Sequence, residues 1–289
     1  MDKIRKIIRF VKRLFPKTPK MKFIYAWYYK HGKINEKQAL FESFHGKDVS
    51  DSSLAILQEF LKMPESKDFK IYFATNDKKR DQKFIDSIGL KVELVDIADF
   101  KYVKVLATSK YLINNSSFPA YFIRRDEQVY LQTWHGTPLK TIGLDVPGDF
   151  PTKKSEKKYI RKCKRWDYLI VQSKFVADLA PSAFKFENTI MDTGYPRTDI
   201  LYSSNNEEEM GRLKEKLGLP KDKKVIMYAP TWRVRDKFEL MLDLEKMKEK
   251  FSDEYVLILR LHHFSAKGWK GVPADGFVYD LTDYESIED

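Results

Sequence analysis

The chain has 289 residues, enough for two domains of ordinary size, and its 43% hydrophobic and 33% charged content is that of a globular protein. No stretch reaches the roughly 20 apolar residues of a membrane-spanning helix. A single cysteine, Cys163, excludes an internal disulfide framework. With no apolar signal core or small-residue cleavage site in the N-terminal stretch, the sequence predicts exposure to the cytoplasm.

The net charge of +11 is unevenly placed: residues 1–22 carry +8, residues 151–165 (PTKKSEKKYIRKCKR) carry +7, and the remainder sums to about −4. In the first patch, Ile4, Ile7, Ile8, Val11, Leu14 and Phe15 recur at helical spacing, with Lys and Arg mostly on the other faces. This predicts a basic amphipathic helix over residues 1–20, ended by Pro16 and Pro19. Such a helix can lie in an anionic membrane surface, where each Lys or Arg contributes about 1 kcal/mol. The alternative is a helix packed on its own domain with a solvated basic face. Nucleic acid is not expected as a partner, because zinc spacing, RNP-like aromatics and a clear helix-turn-helix are all lacking.

Further along, apolar β-rich runs alternate with helical stretches. Strands are expected at Phe23–Tyr25, Ile71–Ala74, Val92–Val95, Tyr111–Ile113, Val129–Leu131, Tyr168–Val171, Val225–Tyr228, Val256–Leu259 and Phe277–Tyr279. Helical spacing appears at Ser53–Met63 and Lys83–Ile88. This alternation predicts parallel α/β sheets. The polar run YSSNN (202–206) marks a boundary, followed by a helix with Asn206 as N-cap, Glu207–Glu209 in its first turn, and Gly218 and Pro220 as stop signals. The expected division is a unit over 21–205 and a second over 206–289. The second has about three strands where a doubly wound nucleotide-binding domain has five or six, so it reads as a partial domain in a shortened product.

Five segments carry candidate chemistry. In LQTWHGTP (131–138), Thr137 reads as an N-cap and Pro138 as the first helical residue. That puts His135 and Gly136 in a strand-to-helix turn, where α/β sheets bind ligands and helix N-termini bind phosphate. A histidine that merely packs in a tight turn is the equal alternative. In RLHHF (260–264), adjacent histidines on an extended segment point to opposite faces. With no second cysteine and no HExxH helix, neither a metal site nor a cofactor is expected. Arg260 and one histidine of the pair read instead as an anion contact. MYAPTWR offers Thr231, Trp232 and Arg233, TGYPRTD offers Arg197, and FESFHGK offers Ser43, His45 and Gly46 in a phosphate-friendly loop. Each alone is more readily structural. Together they suit a diphosphate ligand held between two domains.

In this order, FESFHGK, QTWHGTPLKTIGLD, TGYPRTDIL, YAPTWR and RLH resemble the CDP-glycerol:poly(glycerophosphate) glycerophosphotransferase family, which builds teichoic acids and related polyol-phosphate polymers. The resemblance implies a GT-B-like fold class: α/β, two Rossmann-like parallel-sheet domains, the second incomplete here, on a peripheral (monotopic) enzyme at the cytoplasmic face of the bacterial membrane. It implies transfer of a glycerol or ribitol phosphate from a CDP-activated donor to a lipid-linked acceptor, and leaves a homo-oligomer open. The family's catalytic histidine falls on His135 and its diphosphate-binding histidine on His262, while His263 stands where the family varies. Gly136, Thr137, Arg197, Thr231, Arg233, Arg260, Ser43 and Gly46 complete the implied substrate-binding set. Thr198 stands where the family usually has Asn, and the acidic, TDYSS-type motif expected after VYDLTDYESIED is absent. Two other readings compete: a non-catalytic membrane-bound scaffold of the same fold, and a GT-B glycosyltransferase using a nucleotide sugar.

Overall fold

The computed structural model describes residues 17–231, 239–262 and 269–284, with side chains from Lys20 onward. The expected helix over Ile4–Phe15 therefore lies outside the described residues. The chain divides into two compact units, with the break between Thr198 and Asp199. The sequence reading set it at 205/206. The YSSNN run instead ends the short helix Asp199–Ser203 and leads into the helix Glu207–Lys216, and both belong to the second unit.

The first unit is built on a seven-stranded sheet. Its strands are β1 (Asn35–Glu42), β2 (Lys70–Thr75), β3 (Glu93–Asp96), β4 (Ser109–Asn114), β5 (Val129–Gln132), β6 (Tyr168–Val171) and β7 (Thr189–Asp192). All pairs are parallel, in the order β3-β2-β1-β4-β5-β6-β7. Because side chains alternate along a strand, β1 sends Ala39 and Phe41 to one face and Leu40 to the other. The first pair joins Phe73, Leu57 and Ile85 in one buried cluster. Leu40 joins Leu112, Tyr130, Tyr102 and Trp166 in a second. Burial on both faces is what a parallel sheet requires, and it explains near-continuous apolar runs such as YLIV at Tyr168–Val171.

The expected strand at Phe23–Tyr25 is instead the middle of a helix, Lys17–His31. Met21 and Tyr25 are buried, and Ile24 and Tyr28 pack beside them, which is helical spacing, while Phe23 is 75% exposed. Local β-propensity lost to tertiary packing. Pro19, read as a stop, falls in this helix's first turn, where the backbone N–H has no partner to lose. Conversely, β1 was not expected, since Asn35–Gln38 are polar and only Ala39–Phe41 form an apolar run. It is nonetheless an interior strand, paired with β2 and β4, its buried Gln38 satisfied by Thr108 and Ser109. Strand β7 was also missed; it is a short, partly exposed edge.

In the second unit, β8 (Lys224–Tyr228), β9 (Tyr255–Leu259) and β10 (Val278–Asp280) form a parallel sheet in the order β10-β9-β8. Leu257, Leu259, Phe277 and Val278 make its core. The helix Glu207–Lys216 begins as its sequence predicts: the Asn206 side chain accepts from the Glu209 N–H at 3.0 Å. Among the described residues, no helix is long and apolar enough to cross a membrane.

Candidate active site

The strand order of the first unit reverses between β1 and β4. From β1 the chain proceeds outward to β2 and β3, and from β4 outward to β5, β6 and β7. Loops leaving the C-terminal ends of these two strands diverge, which opens the crevice where such sheets bind ligands. The segments that meet there are Ser43–Gly46 after β1, Asn115–Ser117 after β4 and Thr133–Thr137 after β5.

His135 stands at the centre. Its Nδ1 lies 2.7 Å from the carbonyl oxygen of Asn115. A carbonyl only accepts, so Nδ1 carries a proton and donates, which in the neutral form of the ring puts the lone pair on Nε2. The ring stacks on Trp134 at 4.6 Å between centroids and meets Phe44 edge-on at 6.0 Å. Trp134 in turn packs against Phe184 and Trp166. One side of the imidazole is thus braced by half-buried aromatics, with buried Trp166 and Phe184 behind Trp134, while the residue itself is exposed. Asn115 does double duty, since its Oδ1 accepts from the Phe44 N–H at 2.9 Å. It is fully buried, and its Nδ2 has no partner among the described residues.

The backbone around this ring is strained. Phe44, His45 and Gly46 take φ of 44°, 61° and 73° in succession, and Trp134 takes 56°. For non-glycine residues this left-handed region costs about 1 kcal/mol or more each, and such strain gathers at functional sites. Gly46 tolerates no side chain, because a Cβ there would sit 2.7 Å from Ile97 Cγ2. The Ser43 hydroxyl is buried and donates to the Ser50 carbonyl at 2.7 Å. Ser43 and Gly46 therefore shape the loop.

Arg197 arrives from the far end of the unit. Its Nη1 pairs with Asp51 Oδ2 at 2.8 Å, and its guanidinium lies over the Tyr195 ring. Tyr195 Oη donates to the Gly136 carbonyl at 2.9 Å, with its phenol pushed up to about 12 by burial. His135, Gly136 and Arg197 are thus brought together. Thr137 Oγ1 accepts from Gln172 Nε2. The expected helix at Thr137–Pro138 does not form: the chain stays irregular until the short turn Gly143–Asp145. The residue before a proline disfavours helical angles, and no apolar periodicity follows to compensate.

Beneath the loops lies Glu42, the last residue of β1, 1% exposed. It accepts from Tyr102 Oη at 2.6 Å and from Asn114 Nδ2 at 3.3 Å. Burial outweighs these bonds and pushes its carboxyl up to about 7. Asn115, Glu42 and Asp51 were missed by motif reading. The NNSS run after the YLI strand was the one available signal.

In the second unit, the residues singled out follow the C-terminal ends of strands. Thr231 is exposed after β8. Arg260 and His262 follow β9, and Arg260 Nη1 donates to the carbonyls of Leu281 and Thr282 at 2.8 and 3.0 Å. Arg233 and His263 lie outside the described residues.

A reversed-order parallel sheet, with an oriented and exposed histidine in the loop after β5, defines the first unit as a Rossmann-like α/β unit. Residues 24–289 match the family described as CDP-glycerol:poly(glycerophosphate) glycerophosphotransferase, and the chain belongs to that family. It is 35% identical to the teichoic acid poly(glycerol phosphate) polymerase of Bacillus subtilis strain 168, over all of this chain and 39% of that protein. It is 34% identical to the teichoic acid glycerol-phosphate transferase of Staphylococcus aureus, covering 88% of this chain and 67% of that one. A solved structure of a histidine variant of the wall teichoic acid polymerase TagF, soaked with CDPG, superposes with a TM-score of 0.84 at 30% identity, over 99% of this chain and 71% of that one. The fold class is GT-B-like α/β. The chain spans about two fifths of the length of the B. subtilis relative.

Proposed function

We propose that this chain transfers a polyol phosphate from a CDP-activated donor to a hydroxyl of a lipid-linked acceptor in teichoic acid synthesis. The acceptor oxygen attacks the polyol-bearing phosphorus, a phosphodiester bond forms, the bond to CMP breaks, and the hydroxyl proton passes to His135 Nε2. The supporting observation is the His135–Asn115 bond, which holds Nδ1 as the donor on an exposed, braced ring and so makes Nε2 the nitrogen available to accept a proton. In this reading Gly136, Thr137 and Arg197 contact substrate beside the base. Thr231, Arg233, Arg260 and His262 supply hydroxyl and cationic contacts to the diphosphate. Glycerol-phosphate relatives match at up to 35% identity against 27% for a ribitol-phosphate polymerase, which favours CDP-glycerol as donor. The reaction takes place at the cytoplasmic membrane surface, where lipid-linked acceptors are confined.

The test is a release assay with CDP-glycerol, CDP-ribitol, UDP-glucose and GDP-mannose, each with a lipid-linked acceptor. CMP release from a CDP-polyol supports the reading. UDP or GDP release would replace it with a nucleotide-sugar glycosyltransferase, and binding of no nucleotide would replace it with the scaffold.

A further inference from the structure

A cavity of about 1020 Å³ near the site is lined wholly by residues of the first unit. One wall is the helix Lys153–Cys163, and the other is formed by Ser117–Ala120 and Phe150. Lys153, Lys157 and Arg161 line it at four-residue intervals, with Lys154, Lys158 and Lys162 as the adjacent row and Arg165 just beyond the helix end. No carboxylate lines it, and none of these seven cations pairs with an acid among the described residues.

This arrangement costs stability locally. Like charges four apart repel by a few tenths of a kcal/mol per pair. Lys162 and Arg165 are also partly buried, and burial pulls both below their ordinary ranges. Their only described partners are rings: the Lys162 ammonium lies over Tyr159 and the Arg165 guanidinium over Phe122, each 5.5 Å from the ring centroid. A helix held together by a Thr152 capping box, yet carrying two unneutralised cationic rows into a concavity, is arranged for an anion that is not part of the chain.

The dimensions indicate which anion. Residues four apart on a helix are about 6 Å apart along its axis, and Lys153 to Arg165 covers about 18 Å. A single diphosphate is much shorter than that. In a glycerol-phosphate polymer, successive phosphorus atoms are six backbone bonds apart, a repeat of the same order as the cation step. The cavity also adjoins the reaction centre. His45 lines it, its neighbour Phe44 touches the His135 ring, and Ser117 is two residues from Asn115.

We propose that this groove binds the polyanionic phosphodiester chain of the acceptor, with successive phosphates on successive cations and the chain's terminal hydroxyl delivered toward His135. This rests on the transfer reading above. A concave groove favours a threaded chain over a planar bilayer, which would meet a flat or convex patch.

The experiment measures binding of fluorescent, lipid-free oligo(glycerol phosphate) of two, four and eight units to the full chain, by anisotropy at several salt concentrations. No donor is present, so the result does not depend on the transfer chemistry. Affinity should rise with phosphate number and fall with salt. Lys154→Ala/Lys158→Ala and Lys157→Ala/Arg161→Ala should each weaken the longer oligomers about tenfold or more, as loss of charge-assisted contacts implies. Alanine favours helix, so both variants should keep their circular dichroism and melting temperature. Three results would overturn the proposal: affinity independent of oligomer length, polyglutamate of equal charge binding as tightly, or the variants losing phosphatidylglycerol vesicle binding while oligomer binding persists. Oligomer binding as expected without CMP release in the transfer assay would sink the transfer reading alone.

Discussion

The imidazole of His135 donates from Nδ1 to the backbone carbonyl of Asn115, 20 residues earlier, at 2.7 Å. Orientation by a backbone group survives most substitutions, so the ring itself is the group to remove. His135→Ala should lower turnover by about 10²–10⁴, the usual contribution of a positioned base, with folding intact. Steady-state CMP release checks this. Near-normal turnover would exclude His135 as the base.

Glu42 makes stability depend on pH. Its folded carboxyl is raised from 4.5 to about 7, so between these values the folded state holds a proton that the unfolded chain has lost. Its contribution is therefore fully present below about 4.5 and is lost as pH rises through about 7. Urea titrations at pH 5, 6, 7 and 8 should show stability falling from this group by a few kcal/mol at most. Glu42→Gln should flatten that slope; an unchanged slope would show that the carboxyl is not responsible.

Arg197 is the sole cation paired with Asp51 among the described ion pairs, and the Asp51 side chain is 2% exposed. Removing one partner of a buried pair strands the other charge. Arg197→Ala should cost on the order of 3 kcal/mol in chemical denaturation, and Arg197→Asn/Asp51→Asn should recover much of that loss. If the single variant is as stable as the parent, Asp51 has another partner in solution.

Cys163 is buried, and burial pushes its thiol up to about 12. Thiolates are the reactive form, so at pH 8 alkylation by iodoacetamide should be slower than for a free cysteine by several orders of magnitude, and should follow unfolding. Fast labelling of the native protein would contradict the packing around Trp166.

Deleting residues 1–20 tests the predicted basic helix. Sedimentation with anionic vesicles should fall sharply, while nucleotide binding stays near the parent's. In the parent, vesicle binding should weaken as salt rises, because charges are screened over about 10 Å at 0.1 M. Equal pelleting of deletion and parent would rule out the anchor; lost stability with no lipid affinity would indicate a helix packed on the domain.

The sequence by itself determined the class of fold and the residues worth suspecting. Buried parallel strands must be continuously apolar, so YLIV and YVLIL are legible without coordinates, and Asn206 caps its helix by a contact three residues away. Such features are local, and local chemistry decides them. The tertiary structure decided the rest, because partners far apart in sequence leave no local trace. Ala39–Phe41 look too short for a strand until β2 and β4 flank them. Phe23–Tyr25 have β-branched and aromatic neighbours, yet the buried positions at Met21, Tyr25 and Tyr28 demand a helical period. Thr137–Pro138 carries a helix-start signature with no helix behind it. Above all, the pairing of Arg197 with Asp51 spans 146 residues, and the tautomer of His135 is set by a carbonyl that every residue type possesses. A backbone oxygen has no sequence signature; only the close approach of the β4 and β5 loops reveals which one orients the base.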